Sequence, residues 1–177
     1  MTEILSETIQ EHLSRVVKKL VQENRIHLEE EAIEGCFTVY ILEINESVWS
    51  CNGCRHDLGE DWEGSGAFYV GITNKTREER IAEHELSHLQ SQGGSGTRAA
   101  RGEPWKNGAK MTRHHGFVTA EDIEPVAPDG RALDGRLTRD HAKLLEQIVI
   151  PTALRTLGFA AYAGAPEQFV VPPKTRT

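Results

Sequence analysis

Along the first two dozen residues the apolar positions Leu5, Ile9, Leu13, Val16, Val17, Leu20 and Val21 recur at intervals of three and four. That spacing places them on one face of an amphipathic helix, whose purpose is burial against a core. The pattern changes after Gly35, where CFTVYILEI and then AFYVGIT are short runs rich in β-branched and aromatic residues. Both predict strands. Between them, residues 45–66 are too long for a tight hairpin and read as an insertion. Thr76 stands three residues before Glu79, a capping box, and Ile81, Ala82, Leu86 and Leu89 follow at helical spacing, so a second helix is expected from Thr76 to the GGSG run at Gly93–Gly96. GFVTAEDIEPVAP offers a third strand. A final helix is expected from about Thr138, carrying Ala142, Leu145, Ile148 and Val149 inward, with Pro151 kinking or ending it and Gly158 closing the segment.

Composition changes this picture little. With 177 residues the chain is one domain's worth, long enough for its own hydrophobic core. No apolar run approaches the roughly 20 residues needed to span a bilayer. The N-terminus lacks the basic, apolar and small-residue regions of a signal peptide, and Cys36, Cys51 and Cys54 read as reduced thiols, so a cytoplasmic location is expected. Charge bears on partners. A net charge of -7 speaks against a nucleic-acid ligand in bulk, yet Arg98, Arg101, Lys106, Lys110 and Arg113 lie in a stretch whose only acid is Glu103. Those five are the candidate DNA contacts.

The candidate chemistry lies in the order of four elements. The first strand carries Thr38-Val39-Tyr40, the second Tyr69-Val70-Gly71, the next helix Arg80 and His84 one turn apart, and the last helix Glu146 among apolar neighbours. Phosphodiester cleavage needs these types of group: a base for the nucleophile, a fixed cation for the phosphoryl oxygens and a carboxylate to hold a Lewis acid. From Phe37 to Gly158 the chain resembles the GIY-YIG nucleases, restriction-type members included. Tyr40 and Tyr69 fall in the two motif tyrosine positions, and Thr38 replaces the first glycine. The asparagine usual shortly after the family's glutamate has no counterpart in PTALRTLGFAAYAG.

The resemblance implies an α+β fold with a small three-stranded, mainly antiparallel sheet flanked by helices. It implies Tyr40, Tyr69, Arg80, His84 and Glu146 as catalytic residues, Glu146 as ligand of Mg2+ or Mn2+, DNA as substrate, and a possible homodimer. Gly71 is expected to turn the backbone tightly into the helix. The corresponding organisation is a helical extension at 1–35, a catalytic domain at 36–160 with insertions at 45–66 and 93–116, and a tail at 161–177. Two further chemistries compete. His84-Glu85-Leu86-Ser87-His88 is an H-E-x-x-H sequence, as in zinc metalloproteases, and Cys51 and Cys54 have the spacing of half a structural zinc site. A non-catalytic nucleic-acid-binding module, with the basic stretch around Trp105 on phosphates, is the third alternative.

Overall fold

The computed structural model describes residues 3–28, 34–50, 66–92 and 108–163. Helix α1 (Glu3–Gln22) buries Ile9, Leu13, Val17 and Leu20, the stripe that the sequence spacing places on one face. Strand β1 (Thr38–Ile44) leads into a short 3-10 helix (Glu46–Ser50) that buries Val48, then β2 (Ala67–Thr73) leads into helix α2 (Arg77–Gln92). The capping box forms as expected: the Glu79 N–H bonds the Thr76 hydroxyl at 3.2 Å, and the Thr76 N–H bonds the Glu79 carboxylate at 2.9 Å. Helix α3 (Gly108–His115) and strand β3 (Phe117–Ile123) follow. Helix α4 (Arg139–Leu144) continues through a π-helical turn (Leu145–Val149) into α5 (Ile150–Thr156), and strand β4 (Ala160–Ala163) ends the described chain.

Among the described residues the sheet has four strands in the order β3-β1-β2-β4, not three. β1 pairs antiparallel with β2 and β3, whereas β4 joins β2 in parallel, so the sheet is mixed. β4 is hidden in sequence because AAYA is four residues long and three are alanine, a type depleted in strands. It forms because Phe159 and Gly66 bring it alongside β2, where the Ala160 N–H bonds the Gly66 carbonyl at 3.1 Å. It runs from the expected end of the catalytic domain at 160 into the stretch expected as a tail at 161–177.

Alternation along the strands divides the interior in two. Val39, Ile41, Phe68 and Val70 join the α1 and α5 side in one cluster, with Leu145, Val149, Ala153 and Leu154. Tyr40, Leu42, Ile44, Ala67 and Tyr69 form a smaller cluster on the other face, with Val48 and Ala160. This is the period of two expected of a strand, with both faces covered.

The last helix departs from expectation at Pro151, which does not end it. Proline has no N–H to return to the Glu146 or Gln147 carbonyl one turn earlier. The backbone widens instead: the Ile150 N–H reaches five residues back to the Leu145 carbonyl, and the Thr152 hydroxyl caps the Ile148 carbonyl at 2.6 Å. α5 closes at Gly158, where the Phe159 N–H bonds the Leu154 carbonyl and the Gly158 N–H the Arg155 carbonyl, a Schellman motif.

Candidate active site

Tyr40 is the centre of a hydrogen-bonded group drawn from separate elements. β1 points Tyr40 to the minor-cluster face, and register pairs it with Gly71 of β2. A Cβ on Gly71 would lie 2.5 Å from the Tyr40 phenol oxygen, so only glycine leaves space for the ring. This corrects the expected role of Gly71: it lies inside β2, two residues before the strand ends at Thr73, and its function is close approach rather than a turn.

The Arg80 Nε donates to the Tyr40 hydroxyl at 2.9 Å, and the His84 Nε2 lies 2.8 Å from the same oxygen. Both come from α2, one turn apart, so one helix face delivers them together. The Tyr69 hydroxyl also bonds that of Tyr40, with the rings edge to face at 6.1 Å. Glu146, only 6 % exposed on the π-helical turn, stands near enough for its charge to oppose ionisation of both phenols. Tyr40, Tyr69, Arg80 and His84 therefore meet at one place, with Glu146 near enough for its charge to be felt there.

The electrostatics sort their roles. Burial raises the Tyr40 pKa above its usual 10, against the opposing pull of the Arg80 charge and the hydrogen bonds from Arg80 and Tyr69. Burial raises Tyr69 further still, since the neighbouring Tyr40 and Glu146 would both repel its anion. Both phenols are thus protonated at neutral pH. His84 is pushed the other way, down to about 4, first by burial and then by the Arg80 charge, so it is a neutral acceptor. With its hydrogen on Nδ1, Nε2 accepts the Tyr40 O–H while the Tyr40 oxygen accepts from Arg80. An Arg-Tyr-His chain results, in which a proton gained by the Tyr40 oxygen can be matched by one passed to His84.

Sequence reasoning missed Glu83. Its carboxylate accepts from the Arg80 Nη1 at 2.7 Å and is bonded by the Lys75 ammonium, and these two bonds hold its pKa down to about 2. The Arg80–Glu83 spacing of three on a helix was the available signal. Asp122 was missed as well. It pairs with Tyr40 across β1 and β3 and lines a cleft of about 210 Å³ that also takes in Tyr40 and Arg80.

The remaining candidates divide. Arg98, Arg101, Lys106, Cys51 and Cys54 lie outside the described residues. Lys110 belongs to α3, and so does Arg113, which is exposed and whose carbonyl receives hydrogen bonds from the His88 Nδ1 and the Ser91 hydroxyl. The stretch expected to be a basic connection thus ends in a helix clasped to α2. Cys36 is an exposed free thiol. In the H-E-x-x-H sequence, His84 is engaged by Tyr40 and His88 by the Arg113 carbonyl. Among the described residues no group of three or more His, Cys, Asp or Glu side chains is arranged to hold a metal ion. Also among them, no helix is long and apolar enough to cross a membrane.

Comparison with known proteins finds no match to the chain, whether among family models, curated proteins or solved structures. Among the described residues its fold is an α+β arrangement of a four-stranded mixed sheet between helices.

Proposed function

We propose that the protein is a metal-dependent endonuclease that hydrolyses phosphodiester bonds in DNA, a GIY-YIG-type enzyme of restriction character. The observation that carries this reading is the convergence of Tyr40, Tyr69, Arg80 and His84 from β1, β2 and α2, with the charge of Glu146 on the π-helical turn close enough to act on both phenols. These are groups for proton transfer, phosphate binding and metal ligation, gathered in a partly buried place. The metalloprotease alternative draws no such support, since its two histidines are engaged in different hydrogen bonds.

Mg2+ or Mn2+ is commonly held by one or two carboxylates together with waters and substrate phosphate. Glu146 would hold the ion, which when bound supplies a Lewis acid for the phosphoryl oxygens and the departing alkoxide. The chain's own residues supply the rest. Arg80, held by Tyr40 and Glu83, presents the remainder of its guanidinium to the cleft, where it binds a phosphate oxygen. The attacking water gives a proton to the Tyr40 oxygen, at the lone pair that the Tyr69 hydroxyl occupies at rest, as the Tyr40 O–H proton moves to the His84 Nε2. The new phosphorus–oxygen bond forms as the bond to the leaving oxygen breaks, and that oxygen takes its proton from solvent. Until then Tyr69 holds the Tyr40 oxygen in line through its hydroxyl.

The test is cleavage of supercoiled plasmid with magnesium or manganese by the wild-type chain, Glu146→Ala and Glu85→Gln. Wild type and Glu85→Gln are expected to cut alike, with Glu146→Ala slower by about 100-fold or more. Retained cutting by Glu146→Ala, or none by wild type on plasmid, linear duplex and single strand, overturns the reading.

A further inference from the structure

Among the described residues, the cleft beside Tyr40 is lined by four cationic side chains, Lys75, Arg77, Arg80 and Arg136, against one carboxylate, Asp122. They come from distant parts of the chain. Lys75 and Arg77 flank the cap of α2, while Arg136 arrives on a segment that pairs with the approach to β1. There the Gly35 N–H bonds the Arg136 carbonyl at 3.0 Å, and the Phe37 and Leu137 N–H groups bond each other's carbonyls. At Gly35 a Cβ would meet the Leu137 carbonyl at 1.7 Å, so the close approach that places Arg136 depends on glycine.

Gathering like charges is unfavourable unless an anion joins them. Lys75 and Arg80 are partly offset by Glu83. Arg77 and Arg136 form no ion pair within 4 Å among the described residues, although the Arg77 charge acts on Asp122, and Arg136 spends one Nη2 bond of 3.5 Å on the Lys75 carbonyl. The capping box already occupies the Thr76 N–H, so anion binding falls to the side chains. Guanidinium groups are the donors best matched to phosphate, since their planar forks meet two oxygens at once.

We propose that the part of this cleft lined by Arg77 and Arg136 is a second phosphate subsite, in which these two residues bind the phosphodiester adjoining the one being cut. The assignment rests on the nuclease reading and identifies part of its substrate-binding surface. Tyr40 and Arg80 line the same cleft, so consecutive phosphates of one strand lie in it side by side, the one being cut against Arg80 and its neighbour against Arg77 and Arg136. Asp122 sets an opposing charge in the cleft and limits how tightly the strand is held.

The experiment is fluorescence anisotropy of a labelled DNA duplex in calcium across a salt series, for wild type, the Arg77→Gln/Arg136→Gln double variant and Asp122→Asn. Single-turnover cleavage at saturating enzyme with magnesium accompanies it. For the double variant, Kd is expected to rise about tenfold, and the slope of log affinity against log salt to shrink by about 0.9 for each phosphate that is no longer neutralised. Its cleavage rate at saturation stays within about twofold of wild type, because binding and not the reacting centre is changed. Asp122→Asn is expected to bind more tightly than wild type. Both arginines are exposed, and equal thermal midpoints serve as the check on folding. A double variant whose Kd and salt slope match wild type, while wild type cuts, overturns the subsite and leaves the nuclease reading intact. A wild-type chain that neither binds nor cuts DNA overturns both.

Discussion

At the scale of the residue, Tyr40 shows how a position readable in sequence takes its chemistry from its neighbours. Its place in a strand follows from VYILE, but its protonation follows from burial and its proton path from His84, neither of which spacing reveals. A cation one helix away suggests a tyrosine whose pKa falls. Burial outweighs Arg80, so Tyr40 stays protonated and acts as a relay. His84 carries a consequence for pH. Its pKa in the folded chain is about 4 against the usual 6.5, so the unfolded chain binds the extra proton first as pH falls. The contribution of the neutral ring to stability is therefore complete above about pH 6.5 and is lost as pH falls towards 4. His115 is lowered to about 4, chiefly by burial, and adds to the same trend. Thermal midpoints measured between pH 4 and 7 are expected to drop more steeply for wild type than for His84→Gln. Parallel curves would show that His84 is not buried neutral.

At the scale of the element, the π-helical turn is the feature with most bearing on the site. A regular α-helix from Arg139 to Thr156 would present Glu146 at a different angle, since the turn inserts extra chain into the helical repeat between Leu145 and Val149. Pro151 favours the widened turn because it cannot donate the hydrogen bond that the α register needs. Pro151→Ala restores that donor. It is expected to leave the thermal midpoint unchanged or slightly higher while lowering metal-supported cleavage, by about 100-fold if the carboxylate is displaced by an ångström. Full activity in Pro151→Ala would mean that the turn is set by the surrounding packing and not by proline. Only half of this element is legible in sequence: the apolar stripe of Ala142, Leu145 and Val149 is buried as expected, yet periodicity carries no sign of one wider turn.

At the scale of the whole molecule, charge and site are separated in a way the total conceals. The chain as a whole is negative, while the cleft beside Tyr40 gathers four cations among the described residues. A basic run in sequence, such as 98–113, catches the eye because its members are close neighbours. The cleft's cations are not, with Arg136 some sixty residues from Lys75. A restriction-type role carries an expectation at this scale as well. Cleavage of a random duplex library, read by sequencing the ends, is expected to yield one short preferred sequence; ends spread without preference would remove the restriction character while leaving the nuclease.

What the sequence determined by itself is the content of local periodicity and capping: α1, β1, β2, α2, β3, the apolar face of the last helix, and the order in which Tyr40, Tyr69, Arg80, His84 and Glu146 occur. Such features depend on neighbours a few residues away, and the chain carries them wherever it folds. The tertiary structure alone decided that β4 joins β2 in parallel, that Gly71 makes room for a phenol, that Glu83 and Asp122 flank the site, and that Arg136 enters the cleft. Each of these depends on contacts between segments distant in sequence, where close approach, burial and charge act together and leave no local pattern to read.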